Sequence, residues 1–272
     1  MTPESLAAFF ERSDEALAAD AAWPAAHAAL LEALESGHVR AAERRADGAW
    51  AAVPWVKRAI LAGFRRGTLV EYAGGPAGPA HDKSSFPPRA FAAGDGVRLV
   101  PGGSAVRRGA HLARGVVVMP PAFVNVGAFV GAGTMIDSHA LVGSCAQVGA
   151  RVHLSAGAQL GGVLEPAGAV PVVVEDEAFV GALCGVFEGV LVRARAVLAA
   201  GVVLTSGTVV FDLVRGREWR REVPEGAVVV PGSRPAAGDW ARARGLQLAA
   251  PVIVKYRDAR TDAATALEEA LR

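Results

Sequence analysis

From residue 100 onward a large aliphatic returns at every sixth position. Val100, Val106, Leu112, Val118, Val124, Val130, Ile136, Val142, Val148, Leu154 and Leu160 make eleven such positions without a miss. The beat fails at Pro166 and resumes two residues out of phase at Val174, then Val180, Val186, Val192, Leu198, Leu204 and Val210. A period of six suits neither an α-helix, whose faces repeat every 3.6 residues, nor a lone strand, which alternates. Short hexapeptide repeats point instead to a parallel β-helix. Each hexad supplies a short strand and a turn, three hexads close one triangular coil, and coils stack about 4.8 Å apart through main-chain hydrogen bonds. The aliphatics are expected to point inward. The small residues after them, such as Gly131, Gly143, Gly149, Gly161 and Gly181, are expected to let the chain turn its corners at little steric cost.

Residues 98–232 are therefore read as the β-helix, with a helical region and linker at 1–97 and an extension at 233–272. Before the repeat, SLAAFFERSDEALAAD and PAAHAALLEALESG carry Ala, Leu and Glu at helical spacing. Ser5 and Pro24 serve as start signals and Gly37 as a stop. In WVKRAILAGFRRG, Val56, Ile60 and Phe64 alternate with Lys57, Arg58, Arg65 and Arg66. Residues 71–95, rich in Gly, Pro and Ala, read as a connecting segment. Two stretches interrupt the beat, LEPAGAVP at 164–171 and DLVRGREWRREVPEG at 212–226. Loops that leave a regular solenoid commonly build binding surfaces. PVIVKY at 251–256 reads as extended chain, and DAATALEEALR as a closing helix.

Composition narrows the function. With 28 basic and 27 acidic residues the net charge is +1, which gives no general affinity for nucleic acid or an anionic membrane. The start of the chain has no basic-then-apolar leader pattern, and no uninterrupted apolar stretch reaches membrane-spanning length, so a cytoplasmic protein is expected. Cys145 and Cys184 form no disulfide framework and no CxxC pair.

Chains with this beat include acyltransferases that use acyl thioesters, metal-dependent hydratases and non-catalytic solenoid scaffolds. A metal site needs three or four ligands within bonding reach. His111 and His153 share a hexad position but lie seven hexads apart, on different faces, and His139 occupies another position. No metal is expected, and polar corner roles are assigned to the histidines, with His139 noted for its place beside Asp137.

Several motifs then narrow the choice. The segment MPPAFVNVGA, the GTMID box at 133–137 and VGSCAQVG at 142–149 resemble the tetrahydrodipicolinate N-succinyltransferase family of bacterial lysine biosynthesis. The stretches LEALESGHVRAAERRADGAW, WVKRAIL and PVIVKYRDART resemble it as well, so the likeness spans roughly residues 30–265. It implies a left-handed parallel β-helix with an N-terminal helical domain, assembled as a homotrimer with sites in the grooves between subunits. It also implies transfer of a succinyl group from succinyl-CoA to the amine of ring-opened tetrahydrodipicolinate, L-2-amino-6-oxopimelate, with no tightly bound cofactor.

The same resemblance assigns candidate residues. An amine attacking a thioester must be neutral, and a carboxylate can take or orient its proton. Asp137, matching the acid of the box, is the catalytic candidate. The acceptor carries two carboxylates, so Arg98 is a candidate for bidentate pairing. Ser144 and Glu165 match polar residues near the acceptor pocket, while Gly201, Thr205, Arg234 and Lys255 are candidates for coenzyme A. Cys145 reads as a packed small residue, because no base pattern accompanies it.

One segment departs from the family. Within GALCGVFEG, Leu183 and Gly185 stand where the family's best-known form has an arginine and a glutamate, while Glu188 remains. Loss of a cation for a buried carboxylate costs on the order of 3 kcal/mol. An acetyl donor has no need of that cation, so acetyl-CoA, or another amino-acid acceptor, stays open beside the succinyl reading.

Overall fold

The computed structural model describes residues 1–73 and 78–258. The closing helix expected at 262–272 lies outside the described residues.

The six-residue beat forms a triangular solenoid. Strands of two residues recur along three parallel walls. The first wall includes Met135–Ile136, the second Leu141–Val142, and the third Gln147–Val148. Each strand pairs with the strand one coil away, as in Met135↔His153, Leu141↔Gln159 and Phe129↔Gln147. The second residue of each strand points inward. Val124, Val130, Ile136, Val142, Val148, Leu154 and Leu160 have no exposed surface and form one continuous core. Fully burying such a side chain contributes about 1.5–3 kcal/mol. The architecture is the left-handed parallel β-helix with an N-terminal helical region.

Both ends of the beat differ from expectation. In the first coil Leu99, not Val100, stands in the column of Val118, so the pairing slips by one residue. At the far end Val210 is buried, but its strand Val209–Asp212 leaves the triangle. It turns back as a hairpin onto Arg217–Arg220, and Glu222–Val223 takes the place on the third wall beside Leu191–Val192. The second interruption is thus an ordered hairpin. Asp212 anchors it, accepting bonds from the Val214 and Arg215 amides, Trp219 Nε1 and Tyr256 Oη.

The glycines after the inward aliphatics serve a different purpose from the one expected. A Cβ at Gly143 would lie 2.3 Å from the amide nitrogen of Gly162, and one at Gly131 would lie 2.5 Å from the carbonyl carbon of Gly149. These positions are small because the next coil's backbone passes against them. The left-handed conformation falls two residues later, at Gly133, His139, Cys145, Arg151 and Leu183 among others.

The N-terminal region folds as α1 (Pro3–Phe10), α2 (Asp14–Ala19), α3 (Trp23–Glu35) and α4 (Pro54–Arg66). What reads as one helix from Ser5 is two. Thr2 caps α1, and Ser13 caps α2 through the Ala16 amide. Pro24 does sit in the first turn of α3, and Gly37 lies just past its end with φ of 79°. Leu69–Tyr72 pairs antiparallel with Ala80–Lys83, where a connecting segment is expected from residue 71. The helices pack on the solenoid: their core takes in Val126 and Cys145, and Leu164 of the first excursion lies against it. Lys57, expected among the polar residues of its helix, is fully buried.

Candidate functional site

Three corners join the walls. The first corner follows Ile136, the second follows Val142, and the third follows Val148. Asp137 stands at the first corner, its side chain about one-third exposed. Its amide donates to the Leu154 carbonyl at 2.9 Å, which fixes the backbone to the next coil. One carboxylate oxygen accepts the Ser138 amide at 2.7 Å. The other lies 3.9 Å from Nε2 of His153. The histidine nearest Asp137 is therefore one coil away, not His139. His153 itself packs edge-on against Phe179. Arg98 lies on the first wall, exposed, two strands above Met135 through Val117. Two strand spacings put its backbone roughly 10 Å from the Asp137 coil.

Ser144 and Glu165 belong to the second corner. Ser144 is almost wholly buried, and its carbonyl accepts the Val163 amide at 3.2 Å. That bond ties the 164–171 excursion to the solenoid. Glu165 is exposed on the rim of a cleft of about 630 Å³, lined also by Phe187, Glu188, Ser206 and Arg221. Glu188 accepts the Ser206 hydroxyl at 2.5 Å and the Ser206 amide at 3.1 Å, and these bonds lower its carboxyl from the ordinary range. Residues 188 and 206 share a hexad position one coil apart. They meet because eighteen residues complete one coil.

The ring of Phe187 explains the departure at residue 185. A Cβ on Gly185 would come 2.4 Å from Phe187 Cε2, and one on Gly161 would come 2.7 Å from its Cδ1. The aromatic ring therefore covers the wall where a longer side chain at 185 would emerge. Leu183 projects from the first corner, 73% exposed, with its methyl over Gly157. Cys145 is packed at 0% exposure, and burial pushes its thiol up to about 12. The thiolate needed of a nucleophile is thus suppressed.

The four coenzyme candidates do not share one place within the chain. Gly201 lies at the first corner with φ of 78° and open space around it. Thr205 lies at the second corner in a closed turn, its amide bonded to Thr208 Oγ1 at 2.9 Å. Arg234 is exposed on a hairpin formed by Ser233–Pro235 and Gln247–Ala249. Lys255 pairs with Asp258 at 3.3 Å.

Asp137 and the cleft holding Glu165 thus flank the same second wall from opposite corners. The outer surface of that wall is largely apolar: successive strands present Ala105, Phe123, Leu141, Gln159, Gly185 and Val203. Val203 is 51% exposed. Among the described residues, no helix is long and apolar enough to cross a membrane.

Comparison with known proteins adds to this geometry. A family model described as tetrahydrodipicolinate N-succinyltransferase N-terminal matches residues 4–65, and one described as hexapeptide repeat of succinyl-transferase matches 171–206. A 2,3,4,5-tetrahydropyridine-2,6-dicarboxylate N-succinyltransferase of Rhodopseudomonas palustris is 49% identical over 248 residues, covering 89% of this chain and 87% of its own. The protein of the same name from Cereibacter sphaeroides is 49% identical over 249 residues, covering 90% and 88%. That of Bradyrhizobium diazoefficiens is 46% identical over 249 residues, covering 89% and 88%.

Proposed function

Because the chain belongs to the tetrahydrodipicolinate N-succinyltransferase family, we propose that it moves a succinyl group from succinyl-CoA to the amine of ring-opened tetrahydrodipicolinate, in the cytoplasm, as a homotrimer. The observation that carries the arrangement is the placement of Asp137 and the Glu165 cleft at opposite ends of one apolar wall. Packing three copies through their second walls covers Phe123, Leu141 and Val203. It also sets the first corner of one copy against the second corner of its neighbour. Asp137 from one chain then faces the cleft of the next, and neither half suffices alone.

In that groove the amine nitrogen attacks the thioester carbon. The new C–N bond forms as the C–S bond breaks, and Asp137 accepts the ammonium proton as charge develops on nitrogen. The proton leaves with the departing thiolate as free coenzyme A. The solenoid's part is rigidity: the Asp137 amide bond to Leu154 and the Ser138 contact hold the carboxylate on a backbone locked by coils on both sides. Arg98, on the first wall, is the cation for an acceptor carboxylate. Ser144 holds the excursion that presents Glu165. Gly201 offers open backbone to the pantetheine arm, with Thr205 at the next corner, and Arg234 and Lys255 serve the phosphates at the far end of the donor. Lys255 must exchange Asp258 for phosphate to do so.

Leu183 and Gly185 bring no charge to the groove between copies, so the donor is the point to test. Protein, ring-opened acceptor and either succinyl-CoA or acetyl-CoA are incubated, and free thiol is followed. Thiol release that depends on the acceptor and favours the succinyl donor supports the reading. A preference for the acetyl donor reassigns the acyl group, and no release with either favours a non-catalytic solenoid.

A further inference from the structure

Lys57 is buried without an opposite charge. It lies on α4 at 0% exposure, and no carboxylate among the described residues forms an ion pair with it. Its ammonium donates to the carbonyl of Ala169, in the first excursion of the solenoid. The neighbouring ionisable group is the Cys145 thiol, which burial keeps neutral. Taking an unpaired ammonium out of water costs several kcal/mol, and an apolar side chain of the same length would pack there at less cost. Stability alone therefore does not account for this residue.

The place of its partner does. Ala169 lines the cleft that Glu165 rims. The excursion is anchored at each end: Val163 donates to Ser144, Leu164 packs on the helical core, and the Val170 carbonyl sits where a Cβ on Gly189 would come within 2.4 Å. The amide of Ala169 also donates to the Pro166 carbonyl at 2.9 Å, closing the arc's own turn. Lys57, which is not among the residues lining the cleft, donates into that turn from the helical region.

We propose that Lys57 is a positioning residue for the acceptor: it fixes the 164–171 arc from the helical region, and its charge favours a dicarboxylate in the cleft. This rests on the acyl-transfer reading for the identity of the ligand, but not for the grip on the arc. The residue also couples the helical region to the site, since α4 carries it and the solenoid carries its partner.

Two variants separate the grip from the charge. Lys57→Met removes both the donor and the charge, while Lys57→Gln keeps an N–H donor without the charge. Backbone hydrogen exchange over 163–170 is expected to speed up by about tenfold or more in Lys57→Met and by less in Lys57→Gln. The acceptor KM should rise roughly tenfold in both, with the succinyl-CoA KM and kcat changed by less than about threefold. If Lys57→Met does not fold, Lys57→Gln carries the kinetic readouts and still exposes the loss of charge. Unchanged exchange over 163–170 together with an unchanged acceptor KM, whatever happens to the melting temperature, would overturn the proposal and leave Lys57 a packing residue. Because exchange is read without substrate, it decides the grip even if the wild-type protein transfers no acyl group.

Discussion

Oδ2 of Asp137 lies 3.9 Å from Nε2 of His153, the residue whose backbone pairs with Met135 across one coil. The imidazole is too far away for a hydrogen bond and close enough to feel the charge. The corner thus keeps one oxygen occupied by the Ser138 amide and leaves the other able to meet an amine. Asp137→Asn preserves that shape and removes the base. Its circular dichroism and oligomeric size should match the wild type, while kcat falls by about 10²–10⁴-fold. Near-normal turnover would take Asp137 out of the mechanism.

Corner glycines make two different stability predictions. In Gly143→Ala the new methyl meets the backbone of Gly161 and Gly162, which cannot yield without parting two coils. A loss of about 1–3 kcal/mol or more is expected from overpacking, read as a lower denaturation midpoint in guanidinium. Gly201→Ala meets no atom within 4 Å and suffers only from its φ of 78°. It should lose about 1–2 kcal/mol at most. Equal losses in the two variants would contradict the distinction between backbone approach and backbone conformation.

Gly185 and Phe187 should behave as one unit. Gly185→Glu alone drives its Cβ into the Phe187 ring and is expected to destabilise the protein. Adding Phe187→Ala makes room, so the double variant should be less damaged than the sum of the singles by about 0.5–3 kcal/mol. Additive losses would show that the ring does not occupy the path of a side chain at 185.

The helical region carries a pH dependence of its own. His27 is buried, stacked on Trp23 at 4.7 Å and edge-on to Phe86 at 5.2 Å, and burial pushes its imidazole down to about 4. A folded-state value below the unfolded 6.5 means that unfolding takes up a proton under acid conditions. The stability is fully present above pH 6.5 and is lost as pH falls toward 4, on the order of 3 kcal/mol across that window. His27→Phe should flatten this acid limb in denaturation curves between pH 4 and 7. An unchanged slope would place the titration elsewhere.

The solenoid was legible in the sequence because its repeat is chemical: an inward Val, Ile or Leu must recur wherever the three walls close. The phase slip between Leu160 and Val174 likewise marked the excursion that rims the cleft, since eight extra residues cannot be absorbed within a coil. What was not legible depends on contacts between distant segments. Lys57 reads as a surface lysine until Ala169 arrives above it, and Glu188 meets Ser206 only once the coil has closed. His139 looks like the partner of Asp137 by proximity in sequence, but the triangular path turns it away and brings His153 up instead. Local turn chemistry also hid the break at Ser13, and composition hid the pairing of Leu69–Tyr72 with Ala80–Lys83, both within stretches that suggested something simpler.

The central claim is that each site is shared, with Asp137 from one copy and the Glu165 cleft from the next. It is tested most directly by mixing two inactive variants, Asp137→Asn and a cleft-filling Glu165→Trp, under conditions that let subunits exchange. If sites form between copies, an equal mixture regains about one quarter of wild-type turnover, because that share of the grooves pairs an intact Asp137 with an intact cleft. A mixture that remains as inactive as its components would contradict the shared site.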